Sequence, residues 1–255
     1  MLVSDAQVLV TGAGSGLGRE FCLSLCREGA KVAALDINAK SLEALAKEAS
    51  GLPGVLRVYQ ANVTRENEVT ETVRKIISDF GFINVLINNA GIYRDGLLVR
   101  SDEERSYTLK MPLVQWQAVI DVDLTGPFLL TREVSAHMIE KKISAGVVIN
   151  ISSVSRHGNE GQGNYSAAKA GLVSATKSWA RELALYGIRV VAIAPGVVQT
   201  PMVKSMMPHV VEGLVSRVPL RRLGEPSEIY KGVRFILDCE FFNARCLEID
   251  GGLNV

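Results

Sequence analysis

No uninterrupted apolar run in this sequence approaches the ~20 residues that a bilayer-spanning helix needs, so no such span is expected. Neither sign of charge is in excess. The 28 basic side chains stand against 27 acidic ones, a formal net charge of +1, which removes the electrostatic reason to expect nucleic acid or an anionic membrane as a partner. Cysteine is scarce: Cys22, Cys26, Cys239 and Cys246 are the only four, and none has zinc-ligand spacing with a histidine, so no metal is expected. Cys22 and Cys26 stand four apart on an apolar helical stretch and read as buried free thiols. The N-terminal MLVSDAQVLVTGAG enters a strand almost at once, so no signal peptide and a reducing, cytoplasmic compartment are expected. Internal repeats, low-complexity tracts and linkers are also missing, and residues 1–255 read as a single domain.

What remains is a globular composition, 47% hydrophobic and 22% charged. Short β-branched runs alternate with helical patterns. Strands are expected at Gln7 to Thr11, Lys31 to Leu35, Val55 to Gln60, Val85 to Asn88, Val147 to Ile151, Ile188 to Ile193 and Cys246 to Ile249. This alternation predicts an α/β fold, a doubly wound parallel sheet of about seven strands with helices on both faces. Residues 93 to 112 are less regular, and LLVR and SYTLK flank a polar tip in the manner of a small hairpin. Residues 113 to 142 predict a long helix with a bend at Gly126-Pro127. Residues 197 to 224 lack a strand and carry Met202, Met206 and Met207, a pattern that suits a substrate lid with an adaptable apolar lining, or ordinary helix packing.

Two stretches carry chemistry. The first is TGAGSGLG at 11–18, between a strand and a helix. Its glycines let the backbone approach a diphosphate closely, and the helix N-terminus supplies N–H donors and positive potential. A plain tight turn is the alternative. Asp36 ends the second strand, 24 residues beyond Gly12. A carboxylate there accepts hydrogen bonds from ribose hydroxyls and repels a 2′-phosphate. Ile37 and Asn38 follow with no arginine, and Ser15 is neutral, so NAD(H) is expected over NADP(H). Asp36 is equally placed to cap the next helix.

The second stretch is VVINISSVSRHGNEGQGNYSAAK at 147–169. It reads as strand, loop and helix, with Asn164 or Ser166 placed to cap the helix. Tyr165 and Lys169 share one helix face. A free phenol, with its pKa near ~10, is a poor acid or base at neutral pH, and an ammonium one turn away favours the phenolate. A serine at the strand end is placed to bond a substrate carbonyl or alkoxide. The three together form an acid/base device for interconverting C=O and CH–OH. Taken alone, Tyr-x-x-x-Lys is more often a solvated pair on a helix surface.

With TGAGSGLG, NNAG at 88–91, the serine ending the fifth strand, YSAAK at 165–169 and PG at 195–196 in this order, the chain resembles the short-chain dehydrogenase/reductase family over essentially its whole length. Within it, the 3-oxoacyl-(acyl carrier protein) reductase-like branch is most similar, chiefly through NISSVSRHGNEGQGNYSAAKAG and the terminal DGG. The resemblance implies a single Rossmann-type domain and a hydride transfer between a nicotinamide cofactor and a secondary alcohol or ketone. Tyr165 would be the general acid/base, Lys169 would hold the nicotinamide ribose, and Ser153 would orient the substrate oxygen. Gly12, Gly16 and Gly18, with Ser15 and Leu17 beside them, would cradle the diphosphate. Asp36 and Ile37 would meet the adenosine ribose, Asn62 and Val63 the adenine. Asn89, Ala90 and Gly91 would line the cleft, and Pro195, Gly196, Val198 and Thr200 would meet the nicotinamide end.

Four departures from the family pattern stand out. Asp123 replaces an asparagine that in the family is thought to hold a water linking the lysine to solvent. Asp123 would attract Lys169 and oppose the Tyr165 phenolate. Ser153 precedes Tyr165 by 12 residues where 13 is usual; Ser152 meets that count, but Ser153 meets the strand register and is the serine chosen. Asn62 replaces an aspartate near the adenine, with little expected effect. Segment 93–112 is longer than usual and would wall the active site or an interface.

A 3-oxoacyl/3-hydroxyacyl thioester is the first substrate expectation, and a hydroxysteroid, cyclic alcohol or polyol the second. Asp36 sits awkwardly with a biosynthetic reductase, which would typically use NADPH, so NADP is the alternative cofactor. A cofactor-binding paralogue with weak catalysis is the reading of another class, and Asp123 is the feature in its favour. The resemblance also implies a homotetramer built through the helices at about 113–142 and 164–186.

Overall fold

The computed structural model describes residues 1–102, 107–204 and 207–253. In chain order the elements are β1 (Gln7–Thr11), α1 (Gly16–Arg27), β2 (Lys31–Asp36), α2 (Ala39–Glu48), β3 (Val55–Gln60), α3 (Glu66–Phe80) and β4 (Val85–Asn88). Next come β5 (Val99–Asp102), β6 (Tyr107–Lys110), α4 (Leu113–Ile120), α5 (Gly126–Glu140), β7 (Gly146–Ile151) and α6 (Gly163–Leu183). The chain continues through β8 (Ile188–Pro195), α7 (Pro201–Lys204), α8 (Pro208–Arg217), α9 (Pro226–Asp238) and β9 (Cys246–Ile249).

Seven strands form one parallel sheet in the order β3-β2-β1-β4-β7-β8-β9. Winding proceeds outward from β1 through β2 to β3, then restarts on the other side with β4. The switch falls between β1 and β4, where the carboxyl ends of the strands open a crevice for a ligand. Alternation along each strand divides the core. Val8, Val10, Val32, Ala34 and Ile87 face α1, α2 and α9, packing with Phe21, Leu25, Leu45 and Val233. Leu9, Ala33, Leu35, Leu86 and Val148 face α3, α5 and α6, packing with Val73, Ile76, Leu130 and Val134. The central strands are buried on both faces, which is why they read as unbroken apolar runs.

A buried polar ladder crosses this apolar frame. Asn88 on β4 donates to Asn150 on β7 at 2.8 Å and to Thr131 on α5 at 3.1 Å. Asn150 donates in turn to Thr176 on α6 at 2.8 Å. The ladder joins two strands to the helices that flank the crevice.

Local details differ from the sequence expectation. The bend expected at Gly126-Pro127 takes the form of a π turn, Asp121–Thr125, immediately before it. Pro127 has no N–H to give the carbonyl four residues back, at position 123. The helix widens instead, and Gly126 N–H donates to Asp121 O, five residues back. Neither Asn164 nor Ser166 caps α6, which begins at Gly163 with Gln162 at the cap position. Asn38, not Asp36, caps α2, accepting from Ser41 N–H at 3.1 Å. β8 runs on to Pro195, a strand-end position where the missing N–H is not needed. The small hairpin forms from β5 and β6, antiparallel; its tip at 103–106 lies outside the described residues, as does Met206. No helix among the described residues is long and apolar enough to cross a membrane.

Candidate active site

A cleft of about 1040 Å³ runs over the carboxyl ends of β1, β4, β7 and β8. One end of it is the turn after β1. Gly12 has φ +63°, and a Cβ there would lie 2.8 Å from Ala90 Cα, so only glycine lets this turn meet the one after β4. Thr11 Oγ1 accepts from Asn89 N–H and Ala90 N–H, both at 3.0 Å, and locks the two turns together. Ser15 stands at the cap position of α1 without a side-chain bond to it, and the first turn holds no acidic residue. The helix start thus keeps open N–H donors and an unneutralised positive end beside the cleft, which suits an anion.

Asp36 closes this end. Its Oδ2 accepts from Gly14 N–H at 2.8 Å and its Oδ1 from Asn38 N–H at 2.9 Å. Each oxygen keeps a lone pair for a further donor. Asn62 lines the same end with its Oδ1 taken by Thr64 N–H and hydroxyl, so its amide N–H₂ is the group left for a ligand. Ile37 and Val63 are also in the wall. Gly18 is not in the wall. A Cβ at Gly18 would sit 2.2 Å from Gly12 O, so its role is to let α1 pack against the turn, a correction to the expected cradle.

The other end holds Ser153, Tyr165 and Lys169. Ser152 and Ser153 part as alternation requires. Ser152 turns inward and donates to Lys169 O at 3.1 Å. Ser153 starts a short 3₁₀ turn, accepts from Ser155 N–H at 3.1 Å, and lies beside the Tyr165 phenol, whose ionised form it favours. Tyr165 is buried, and burial is the main cause that pushes its pKa up to about 12. The Tyr93 hydroxyl pulls it down, Asp123 pushes it up, Ser153 pulls it down and Asp95 pushes it up, in that order of size.

Lys169 Nζ donates to Ile151 O at 3.0 Å and lies 5.5 Å from the centre of the Tyr165 ring. It is also 3.0 Å from Asp123 Oδ1, with both side chains sealed from water. That contact is an ion pair without hydrogen-bond alignment. The other carboxylate oxygen, Oδ2, accepts from Ile92 N–H at 3.0 Å. Asp123 sits beneath the cleft floor, carried inward by the π turn. Gly91 leaves the room: a Cβ there would lie 2.6 Å from Asp123 Oδ1.

Ala90, Pro195, Gly196, Val198 and Thr200 complete the walls. Segment 197–224 is pinned at its root, where Gly224 N–H donates to Val197 O at 2.9 Å and Gln199 N–H to Gly224 O at 2.8 Å. Its apolar contribution to the cleft comes from Val197, Val198, Pro201, Val203 and Leu214. Met207 is 63% exposed, so it does not supply the apolar lining expected of it. A β-branched or leucine side chain on a short helix faces the cleft where the methionine faces solvent. The sequence reading missed Tyr93, whose hydroxyl is 3.3 Å from that of Tyr165, and Asp95 and Gln162 at the mouth. The available signal for Tyr93 was an aromatic side chain two residues beyond the glycine of the β4 turn.

Residues 6–210 match the family model described as short chain dehydrogenase. A 3-oxoacyl-[acyl-carrier-protein] reductase FabG of Thermotoga maritima is 44% identical over 248 residues, covering 96% of each chain. A 3-oxoacyl-[acyl-carrier-protein] reductase of Synechocystis is 39% identical over 259 residues, covering 99% of each. The crystal structure of a short-chain type dehydrogenase/reductase from Mycobacterium marinum superimposes with a TM-score of 0.89 at 27% identity, over 98% of this chain and 96% of the other.

The buried pair gives a direct expectation. Lys169→Met leaves the Asp123 carboxylate buried and unpaired, and should cost ~3–5 kcal/mol of stability. Adding Asp123→Asn removes that charge and should recover most of the loss. Urea unfolding of the single and double variants measures both. Equal loss in the two would mean that the pair is not electrostatically coupled.

Proposed function

The chain belongs to the short-chain dehydrogenase family, and from that premise we propose that it interconverts a 3-oxoacyl thioester and the matching 3-hydroxyacyl thioester with NAD(H). The observation that carries this reading is a single cleft with chemically different ends. The glycine turn and Asp36 stand at one end, and Ser153, Tyr165 and Lys169 at the other. These residues fit a nicotinamide dinucleotide. The open N–H groups at the start of α1 would take its diphosphate, Asp36 the adenosine ribose hydroxyls, and Lys169 the nicotinamide ribose. Asn62 and Val63 would flank the adenine, and Val198 and Thr200 the nicotinamide amide. When bound, the cofactor supplies the hydride to the carbonyl carbon, or takes it from the carbinol carbon.

The chain's own part is positional and electrostatic. The Ser153 hydroxyl donates to the substrate oxygen and fixes it beside Tyr165. As the carbonyl becomes an alkoxide, the Tyr165 phenol gives it a proton. Burial keeps that proton on Tyr165 at neutral pH, and an alkoxide is a stronger base than a phenolate, so the transfer runs downhill. The reverse reaction needs the phenolate first. The acyl chain would lie along Val154, Val197, Val203 and Leu214. The relatives' names support the thioester, and the Asp36 carboxylate supports NAD(H), because it stands where a 2′-phosphate would bring like charge.

The same reading includes a homotetramer. Leu113, Val114 and Phe128 on α4 and α5, and Leu185 just beyond α6, are large apolar side chains left exposed on the monomer. Light scattering should give a mass of four chains, and a mass of one chain would sink this part.

Fluorescence titration should show NADH binding at least roughly tenfold tighter than NADPH, and Asp36→Ala should narrow that gap from both sides. Tighter NADPH binding by the unaltered protein would refute the role given to Asp36. Tyr165→Phe should lower kcat on a 3-oxobutyryl thioester by about 10²–10⁴, the range of a lost general acid. Equal turnover in the two proteins would end the catalytic assignment.

A further inference from the structure

Tyr93 and Tyr165 form a pair of phenols at the substrate end of the cleft. Their hydroxyl oxygens are 3.3 Å apart, and their rings lie 4.5 Å apart at 43°. In the neutral pair either hydroxyl can donate. Once Tyr165 ionises, only Tyr93 has a proton to give, and a bond to a charged oxygen is shorter and stronger than a neutral one.

Tyr93 is held for this purpose from outside its own strip of chain. Gly96 N–H donates to Gly161 O at 2.8 Å, Asn164 donates to Arg94 O at 2.9 Å, and Gln162 donates to Asp95 at 3.2 Å. These three bonds fasten the strip after β4 to the segment that begins α6, which is the segment that carries Tyr165. The Arg94 guanidinium turns back onto Tyr93 O at 3.0 Å. The two hydroxyls therefore belong to one braced unit.

The need for a second donor comes from Asp123. An ammonium alone beneath Tyr165 would favour the phenolate, but here a buried carboxylate stands 3.0 Å from that ammonium. The groups facing Tyr165 are Lys169 from its own helix, Asp123 from the π turn, Tyr93 and Asp95 from the strip after β4, and Ser153 from the end of β7. From α4 it meets the apolar Val119. Of the neutral groups, the two hydroxyls of Tyr93 and Ser153 work against the two carboxylates.

We propose that Tyr93 is a positioning residue whose hydroxyl donates to the Tyr165 phenolate and replaces stabilisation that Asp123 withdraws from Lys169. Desolvation of its hydroxyl end against Tyr165, and the neighbouring Tyr165 itself, hold Tyr93 in its protonated form although 38% of the residue is exposed, and this keeps it the donor of the pair. Asp123 and Tyr93 then act on one phenol in opposite senses: one raises the barrier to ionising Tyr165, and the other lowers it. The inference rests on Tyr165 as the acid/base group, but not on the identity of the thioester.

The test reads ionisation directly and needs no substrate. Carbon-13 NMR of protein labelled at tyrosine Cζ follows each phenol, with the Tyr165 resonance assigned by its loss in Y165F. It is recorded at the highest pH at which far-UV circular dichroism keeps its native form. The ionised fraction of Tyr165 should fall roughly threefold to tenfold in Y93F, the effect of one net hydrogen bond. D123N should raise it, because Lys169 then acts unopposed, and Y93F should lower it again in the D123N background, where the signal is larger. An unchanged or larger ionised fraction in Y93F, in either background, overturns the proposal. Failure to turn over any 3-oxoacyl thioester, with the titrations as expected, would sink the substrate reading and leave this one standing.

Discussion

A lysine in the cleft wall and an aspartate beneath its floor, both with almost no exposed surface, face each other, and much of the site is arranged to make that possible. Neither charge is tolerable there alone. Lys169 is steadied by Ile151 O at the end of β7, and Asp123 by Ile92 N–H after β4. The aspartate reaches its place only because the helix widens at Asp121–Thr125, and it has room only because residue 91 has no side chain. Four separate stretches of chain thus converge on one ion pair. Burial sets most of the shift at Tyr165, and the Asp123 carboxylate held in that convergence pushes it further up.

The frame that delivers these stretches is the parallel sheet and its reversal of winding between β1 and β4. The apolar layers on its two faces fix the strands, but they carry no directional information at the strand ends. That comes from polar contacts: the Thr11 hydroxyl joining the turns after β1 and β4, and the Asn88–Asn150 ladder joining β4 and β7 to α5 and α6. Buried polar networks of this kind are costly when incomplete and rigid when complete. They hold the cleft's wall positions while the apolar core supplies the cohesion.

Legibility followed the range of the forces involved. The strands of the sheet were readable because their burial on both faces shows as short β-branched runs. Asp36, the glycine turn and the Tyr165–Lys169 spacing were readable because each is set by local geometry. The bend before Gly126-Pro127 was readable in kind but not in place, since the missing proline N–H is felt at the carbonyl of position 123. Asp36 does not cap α2, because it stands two residues before the cap position and its carboxylate is engaged by the N–H groups of Gly14 and Asn38. Tyr93 was legible only as an aromatic near the β4 turn; the placement of its strip is decided by bonds to Gly161, Gln162 and Asn164, far along the chain. The outward turn of Met207, at the cap of α8, was hidden for a similar reason: which side of that helix faces the cleft is a tertiary matter.

The root of that segment has a consequence of its own. Val198 and Gly224 pair as an isolated parallel bridge, so the two ends of the segment meet at one point. A loop closed at its base can change in length at small entropic cost, because closure grows only slowly with loop size. The glycine turn, the sheet and the helix face of Tyr165 and Lys169 lie on the other side of that closure. The fold therefore separates the strand ends and their turns from a connection whose length can vary, with a few backbone hydrogen bonds as the seam. Insertions or deletions in such a connection can reshape the apolar wall that Val203 and Leu214 give the cleft while leaving the strand ends where they are.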